Sequence, residues 1–175
     1  MFRRSYKNRL PPVEETARDF RVVDGEPYLD EIFEHDRDIS RGFARSELTE
    51  EEYKAAYSRV VNNLFSFGVH KFFVAVDRYD RYLGHVWVRI TEDAVDFVPT
   101  AYVLDIETLV QGVGIGSALL ERAEEWARLE GARKVSLRVE LGNPFLTWYL
   151  KRGYRKRALI LEKPLQAREK DSQGK

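Results

Sequence analysis

The segment Gln111-Gly112-Val113-Gly114-Ile115-Gly116 connects a strand-like run at residues 101–106 to a helix-like run at residues 117–130. Alternating glycines favour a tight turn in which the backbone can approach a ligand closely. At the start of the helix that follows, backbone N–H groups lack intrahelical partners and the helix dipole favours negative charge. We therefore predict that residues 112–117 bind an anionic group, such as the phosphate of a ligand.

Two further segments accompany this loop. Upstream, the spacing is Leu104-x-Ile106-x-Thr108-x-x-Gln111. Downstream, Asn143 precedes the run Trp148-Tyr149-Leu150-Lys151-Arg152-Gly153-Tyr154. Together with the loop, these segments resemble the acetyl-CoA motifs of the GNAT superfamily of N-acetyltransferases, in the family's order and at about its separation. The resemblance covers residues 101–161 by motif and residues 19–100 by pattern only.

The loop departs from the family in its charges. Many relatives have Arg-Gly-Lys-Gly, where this chain has Gln111-Gly112-Val113-Gly114, and Thr108 stands where the family often has proline. Two positive charges are therefore missing. We expect a modest coenzyme affinity that depends on backbone amides and on basic groups from elsewhere in the chain.

Two other interpretations of the loop compete with coenzyme binding. A dinucleotide fingerprint, Gly-x-Gly-x-x-Gly starting at Gly112, would need a third glycine where the chain has Ser117. Such a fingerprint also normally follows the first strand of a long α/β domain, and only about sixty residues remain here. The second alternative is a tight strand-to-helix turn that binds nothing.

Composition is that of a single soluble globular domain. The chain has 175 residues, a formal net charge of zero and no cysteine. This length allows a sizeable core, zero charge argues against general nucleic-acid binding, and the lack of cysteine excludes disulfides and thiol chemistry. The N-terminus resembles no signal peptide, and no run approaches the ~20 apolar residues of a membrane span. We expect a cytoplasmic protein with no nucleic-acid or membrane partner.

We divide the chain into a basic N-terminal arm at residues 1–17, an acetyltransferase domain at 18–165 and a flexible C-terminal tail at 166–175. Periodicity predicts the order β, two helices, β-hairpin, β, helix, β, helix, β. Such alternation indicates an α/β (α+β) sandwich around one mixed sheet. The resemblance implies a GNAT-like sheet, mostly antiparallel with a central parallel pair, flanked by about four helices.

Some of these elements have specific signals. Thr49 and Glu52 are spaced as a capping box at the start of the second helix. The other predictions that bear on the site are a helix at Tyr28–Asp36, a charged loop at residues 37–48, and strands at Lys134–Leu141 and Arg157–Leu165.

The resemblance implies which residues hold acetyl-CoA. Backbone amides of residues 104–106 would bind the pantetheine arm and polarise the thioester carbonyl, and amides of residues 112–117 would hold the diphosphate. The complete set of predicted coenzyme-binding residues is Leu104, Asp105, Ile106, Gln111, Gly112, Val113, Gly114, Ile115, Gly116, Ser117, Asn143, Phe145 and Tyr149. Asn143 has a second interpretation, as the N-cap of a short helix that begins at Pro144.

Acetyl transfer to an amine needs proton transfer, because a lysine-type amine has a pKa near ~10.4. Tyr149 matches the family tyrosine near the coenzyme sulfur, so the resemblance implies that it is the general acid for the departing thiolate. The sequence does not decide which residue is the general base. Asp105 and Glu140, which lie on or beside the central strands, are the two candidates, and Glu107 is a third carboxylate in the same region.

The histidines suggest no metal site. His35 and His70 lack ligand spacing with each other or with carboxylates, and we interpret His85, which has aromatic neighbours in a strand pattern, as a packing residue. We therefore expect acetyl-CoA as the cosubstrate and no metal.

The prediction of the acceptor depends on an acidic cluster in the region of the first helix. Glu31, Glu34 and Asp36 would attract a cationic amine such as a polyamine, a lysine or a protein N-terminus, although an ordinary solvated helix face has the same composition. The prediction is an N-acetyltransferase that forms a ternary complex. A non-catalytic acyl-CoA-binding or sensor module is the alternative, and a homodimer is compatible with the sequence.

Overall fold

The computed structural model describes residues 10–44 and 47–165, and it contains one five-stranded sheet in the order β1-β2-β3-β4-β5. The strands are β1 Arg21–Asp24, β2 Val69–Val76, β3 Tyr82–Glu92, β4 Pro99–Thr108 and β5 Lys134–Leu137. The α-helices are α1 Val13–Thr16, α2 Leu29–Phe43, α3 Glu50–Phe65, α4 Ile115–Leu129 and α5 Leu146–Lys151, and 3₁₀ turns lie at Ala17–Asp19 and Glu26–Tyr28.

Strand pairing confirms the predicted mixed sheet. Strands β1 to β4 pair antiparallel with their neighbours, whereas β4 and β5 pair parallel. The parallel pair lies at one end of the sheet, because no strand pairs with the outer edge of β5 among the described residues. The described residues up to Arg138 form one compact unit, and those from Val139 to Leu165 belong to a second. In the described ranges no helix has the length and apolar character to cross a membrane.

Helices cover both faces of the sheet. Side chains alternate along a strand, so Phe72 and Val74 of β2 share one face, where they pack with Trp87 of β3 and Ile32 of α2. Phe73 points to the opposite face, where the guanidinium of Arg122 on α4 lies 5.1 Å from its ring centroid. Helices α2 and α3 therefore cover one face and α4 the other, and the apolar residues of α4 become buried there.

The capping box is confirmed. The Thr49 amide donates to Glu52 Oε2 at 2.8 Å, and the Glu52 amide donates to Thr49 Oγ1 at 3.3 Å. The neighbouring prediction was wrong, because α2 continues to Phe43 through much of the expected loop. The reason is that Asp36 occupies a buried position of α2 and accepts a hydrogen bond from Ser40 one turn later. A search for apolar periodicity does not recognise a polar residue that faces inward.

The predicted strand at residues 157–165 is also wrong. Residues 155–165 form no helix or strand, and Leu159 and Leu161 are 83% and 90% exposed. This segment contains a short apolar run of the kind found in strands. A strand also needs a neighbouring strand with which its backbone forms hydrogen bonds. No such neighbour pairs with this segment in the described part of the chain. Strand β5 likewise ends at Leu137, four residues before its predicted end.

The last part of the predicted N-terminal arm is folded. Thr16, in α1, is buried, and its hydroxyl donates to Asp77 Oδ2 at 2.6 Å. Asp77 lies after β2 and also accepts from the Tyr79 amide and from Arg81. The basic residues of the arm and the predicted tail at residues 166–175 lie outside the described residues.

We expect Asp77→Ala to lower the free energy of unfolding by about 3 kcal/mol, because it removes a buried carboxylate that accepts several hydrogen bonds and leaves the partly buried Arg81 without its partner. That loss corresponds to a melting temperature lower by roughly 6–12 °C in thermal unfolding. The control is Asp19→Ala, which removes an exposed carboxylate in a loose 3.9 Å pair with Arg78. Equal melting temperatures for the two variants would contradict the assigned role.

The same carboxylate predicts a dependence of stability on pH. Burial alone would raise the pKa of Asp77, but hydrogen bonds from Thr16, Arg81 and the Tyr79 amide outweigh it and lower the pKa to about 2. The folded state therefore binds this proton less readily than the unfolded state, whose pKa is about 3.8. The stabilisation is complete above pH 3.8 and disappears as the pH falls towards 2.

Candidate active site

The glycine loop joins the end of β4 to the start of α4. Gly112 and Gly114 have φ angles of +79° and +90°, which glycine adopts far more readily than other residues. A Cβ atom at either position would meet nothing within 4 Å, so the backbone conformation and not crowding requires glycine there. Gly114 is the N-cap of α4 and supplies no side-chain cap. The loop therefore presents a helix N-terminus without a side-chain acceptor, in open space suited to an anion.

Strand β4 is irregular just before the loop. Trp87 of β3 pairs with Asp105, but Val88 pairs with Val103, so Leu104 is an extra residue in β4. Such a bulge bends a strand and often lies beside an active site. Pairing of β4 with β5 ends at Val103 and Leu137. From Leu104 onward, no described strand pairs with the β5-facing side of β4.

The predicted coenzyme-binding residues from Leu104 to Ser117 thus lie along one stretch of chain, from the end of β4 to the first turn of α4. Leu104 and Ile106 are half-buried on either side of Asp105, and Gln111 and Gly112 are exposed in the loop. Ile115 is buried and anchors the first turn of α4. The remaining members lie beside these in the loop or in the first turn of α4: Val113, Gly114, Gly116 and Ser117. Residues 109–117 contain no lysine or arginine, so any anion held there relies on backbone amides.

A connected polar network lies on the sheet face covered by α2 and α3. Asp105 Oδ2 lies 2.7 Å from His85 Nε2, and His85 Nδ1 lies 2.6 Å from the Tyr82 hydroxyl. The same hydroxyl lies 3.0 Å from Glu107 Oε1. His85, Asp105 and Glu107 share a face because β3 and β4 pair Trp87 with Asp105 and His85 with Glu107. The register shift beside Val76 of β2 brings Tyr82 to the same face.

Burial increases from one end of this network to the other. The Asp105 side chain is 25% exposed, whereas those of His85 and Glu107 are 0% and 7% exposed. Burial raises the pKa of Glu107 to about 7, and the negative charge of Asp105 adds to this effect while His85 opposes it. Burial also raises the pKa of Tyr82 far above its ordinary value, so its hydroxyl keeps its proton.

A second polar pair, between the buried Asp36 and the half-buried Tyr57, lies near the network. The Tyr57 hydroxyl on α3 donates to Asp36 Oδ2 on α2 at 2.5 Å. Burial raises the pKa of Asp36, and the negative charge of Asp105 raises it further. Glu31 and Glu34 of the predicted acidic cluster are exposed, and Glu34 lines a groove between α2 and α3 with Asp30. Of the three residues in the predicted acidic cluster, only Glu31 and Glu34 are therefore exposed, whereas Asp36 is buried.

The network also has the composition of a cation site. Atoms of His85, Asp105 and Glu107 lie within 4.8 Å of one another. The two carboxylates, however, approach opposite nitrogens of the imidazole, and a tyrosine hydroxyl contacts one of these nitrogens. Each ring nitrogen therefore already has a polar partner among the described residues. We therefore interpret the cluster as a hydrogen-bonded network.

The remaining predicted residues lie in the second compact unit. Glu140 is exposed and lies outside β5, so the strand face on which we expected it is not formed there. Asn143 Oδ1 accepts from the Phe145 amide at 2.8 Å, in a turn that precedes α5. The helix begins at Leu146, after the predicted start, with Phe145 as N-cap. Tyr149 is half-buried and stacks edge-on against Trp148 and Tyr154.

The sequence interpretation missed the roles of His85 and Tyr82. His85 is buried as expected of a packing residue, but both ring nitrogens also form polar contacts. One available signal was the spacing Asp105-x-Glu107, which places two carboxylates on one face of a strand. The sequence does not show that His85 of β3 lies beside these carboxylates, because that depends on the register between β3 and β4.

The sequence matches the model of the acetyltransferase (GNAT) family over residues 19–154. A solved structure described as "Putative acetyl transferase from Pyrococcus furiosus" is 51% identical, covers 83% of this chain and 99% of its own, and superposes with a TM-score of 0.81. No curated protein gives a significant sequence match.

More distant structures share the fold. An aminoglycoside acetyltransferase from an uncultured soil metagenomic sample is 13% identical, with a TM-score of 0.60 over 89% of this chain and 100% of its own. Glucosamine-6-phosphate N-acetyltransferase from Arabidopsis thaliana is 14% identical, with a TM-score of 0.55 over 84% of this chain and 99% of its own.

Proposed function

Because this chain belongs to the acetyltransferase (GNAT) family, we propose that it transfers an acetyl group from acetyl-CoA to a primary amine by direct attack in a ternary complex. The observation that carries the proposal is the bulged strand β4 leading into the uncapped N-terminus of α4. An extended strand edge next to an anion-binding helix end suits a ligand with a linear arm and a diphosphate.

Coenzyme binding would use the backbone of this surface. Amides of residues 104–106 would bind the pantetheine arm and polarise the thioester carbonyl, and amides of residues 112–117 would bind the diphosphate. These donors are fixed before the ligand arrives, since β4 and α4 are held by the sheet and by the buried side chain of Ile115. Fixed donors aimed at a developing oxyanion are an effective form of transition-state stabilisation.

We place the general base at Asp105. It is partly exposed, adjoins the thioester-binding backbone and is connected to buried groups through His85. Glu140 is the weaker candidate, because it is exposed and lies outside the strand that would have oriented it. The exposed carboxylates of Glu31 and Glu34 would attract a cationic acceptor, such as a polyamine, a lysine or a protein N-terminus.

The function is tested by a thiol-release assay with acetyl-CoA against a panel of polyamines, peptides with free N-termini, lysine peptides and aminoglycosides. We expect amine-dependent release of thiol and an acetylated amine detected by mass spectrometry. Thiol release without any acceptor would indicate hydrolysis. Binding of acetyl-CoA without release for any amine would favour the non-catalytic acyl-CoA-binding module.

Tyr149 is the proposed general acid, on the basis of its position in the family motif. Tyr149→Phe should lower kcat for thiol release roughly 10–100-fold, because the leaving thiolate loses a proton donor. Binding of acetyl-CoA, measured by calorimetry, should stay unchanged. Tyr154→Phe is the control, as a neighbouring tyrosine outside the predicted coenzyme set. Equal kcat values for the two variants would remove Tyr149 from the mechanism.

A further inference from the structure

Four side chains form a continuous path from the surface to the interior, with each member at hydrogen-bond distance from the next. In order, they are Asp105, His85, Tyr82 and Glu107, with contacts of 2.7, 2.6 and 3.0 Å between successive members. Only Asp105 has appreciable exposure. Glu107 Oε2, at the inner end, is buried and has no hydrogen-bond partner among the described residues. A carboxylate left in this state is costly when charged and is stabilised by taking up a proton.

The middle of the path has two consistent hydrogen-bond arrangements. Tyr82 has one hydroxyl proton but two acceptors within reach, His85 Nδ1 and Glu107 Oε1. When Glu107 is protonated, it donates to Tyr82 and Tyr82 donates to Nδ1. When Glu107 is ionised, Tyr82 donates to it, and Nδ1 must then carry a proton in order to donate to Tyr82. The two arrangements differ by a concerted shift of protons along the path.

We propose that His85, Tyr82 and Glu107 form a buried relay that accepts the acceptor amine's proton from Asp105. This role rests on the proposed transferase function, because it assigns the relay to the base of that reaction. Asp105 contacts the substrate, and the other three act through it as positioning and proton-storing residues. Because the buried Glu107 takes up the proton, Asp105 can return to its ionised form within the closed ternary complex, before water has access to it.

The proton steps balance as follows. In the ready state Glu107 and Asp105 are ionised and His85 is neutral with its proton on Nδ1, so no proton lies between Asp105 and His85 Nε2 and that position can take up the incoming one. The ammonium N–H bond breaks and a proton passes to Asp105, and then to His85 Nε2. The Nδ1 proton moves to the Tyr82 oxygen while the Tyr82 proton moves to Glu107. The result is a neutral amine, an ionised Asp105 and a protonated Glu107, which later returns its proton to water by the reverse path.

The surroundings favour a proton at the inner end. Burial raises the pKa of Glu107 to about 7, the negative charges of Asp105 on β4 and Asp36 on α2 add to this, and His85 and the hydrogen bond from Tyr82 on β3 act in the opposite direction. Tyr57 on α3 is held by Asp36 and keeps its proton. The ring of His35 on α2 stacks on Tyr82 at 4.6 Å and fixes its orientation.

The test that is independent of activity is ¹⁵N NMR of the His85 ring across the titration of Glu107. As the pH rises through about 7, Glu107 loses its proton and His85 Nδ1 should gain one. This is opposite in sign to the titration of an isolated histidine, which loses a proton as the pH rises. The change should be absent in Glu107→Gln. An Nδ1 signal that stays unprotonated across this range, or that changes equally in Glu107→Gln, would overturn the relay.

The kinetic test uses Tyr82→Phe, which keeps the ring stacked on His35 but removes the hydroxyl. We expect kcat at saturating amine to fall roughly tenfold at neutral pH. In the wild type kcat should rise through an inflection near pH 7, because a protonated Glu107 cannot accept a proton, and this inflection should vanish in both Tyr82→Phe and Glu107→Gln. Tyr79→Phe, at an exposed tyrosine in the β2–β3 turn, should behave as the wild type.

Failure of the relay and failure of the proposed function give different results. If both variants keep the wild-type kcat and inflection while transferring acetyl groups, the function stands and the relay is wrong. If the wild type transfers no acetyl group to any amine, the proposed function fails. The NMR experiment then still decides whether protons shift along the path. An unchanged Nδ1 signal would show that they do not, and the relay would be overturned too.

Discussion

Gly114→Asp should weaken the binding of acetyl-CoA by at least roughly 100-fold in a calorimetric titration. An aspartate there brings its carboxylate close to the first amides of the helix, which are the donors proposed for the diphosphate. It also places a negative charge beside the diphosphate. Two like charges about 4 Å apart repel by about 4 kcal/mol at an effective dielectric constant of 20, and about 1.4 kcal/mol corresponds to a tenfold change in affinity.

The chain offers a matched control at the other end of the same helix. Gly131 has a φ angle of +86°, close to the +90° of Gly114, and a Cβ atom at either position would meet nothing within 4 Å. Gly131→Asp therefore introduces the same charge and similar backbone strain away from the loop. We expect its affinity for acetyl-CoA to stay within about twofold of the wild type, or roughly 0.4 kcal/mol. Equal affinities for the two variants would show that the coenzyme does not bind at the loop.

Asp105→Asn should lower kcat for acetyl transfer by roughly 10²–10⁴-fold, the usual contribution of a general base. Asparagine has nearly the same size and its side-chain amide can still form a hydrogen bond with His85 Nε2, so the fold and the binding of acetyl-CoA should be preserved. The measurement is steady-state thiol release at saturating amine. The variant's activity should increase steeply at alkaline pH, because the amine itself ionises with a pKa near ~10.4 and then needs no base.

Asp24→Asn is the control for this substitution. Asp24 lies on β1 and pairs on the surface with Lys71 at 2.5 Å, outside the proposed site. Its kcat should match the wild type. A kcat for Asp105→Asn within about threefold of the control at neutral pH would mean that Asp105 is not the base, since that is under 1 kcal/mol of transition-state stabilisation. Glu140→Gln would then be the next variant to measure.

The parts of the fold that the sequence predicts well are those set by local signals. The capping box of α3 depends on residues three positions apart, and the glycine loop depends on two backbone conformations that only its own residues determine. The resemblance adds the order of strands around the loop. These signals place β4, the loop and α4 without knowledge of any other part of the chain.

The features that the sequence does not predict depend on distant neighbours. Arg157–Leu165 contains an apolar run like that of a strand but lacks a pairing partner in the described chain, so pattern alone misleads. Asp36 looks like part of a solvated acidic face until α3 brings Tyr57 against it. The network of His85 and Asp105 requires the exact pairing of β3 with β4, including the bulge at Leu104. A shift of the register by one residue would place His85 on the opposite face from Asp105.

The central claim is that the surface formed by β4, the glycine loop and α4 binds acetyl-CoA. The most direct measurement is a calorimetric titration of the full chain with acetyl-CoA, with NADH as the competing ligand. We predict saturable binding of acetyl-CoA at a single site with a Kd in the range of roughly 1–100 μM, or about −8 to −5 kcal/mol, and no binding of NADH. An absence of heat from acetyl-CoA even at about 1 mM, or saturable binding of NADH instead, would contradict the account.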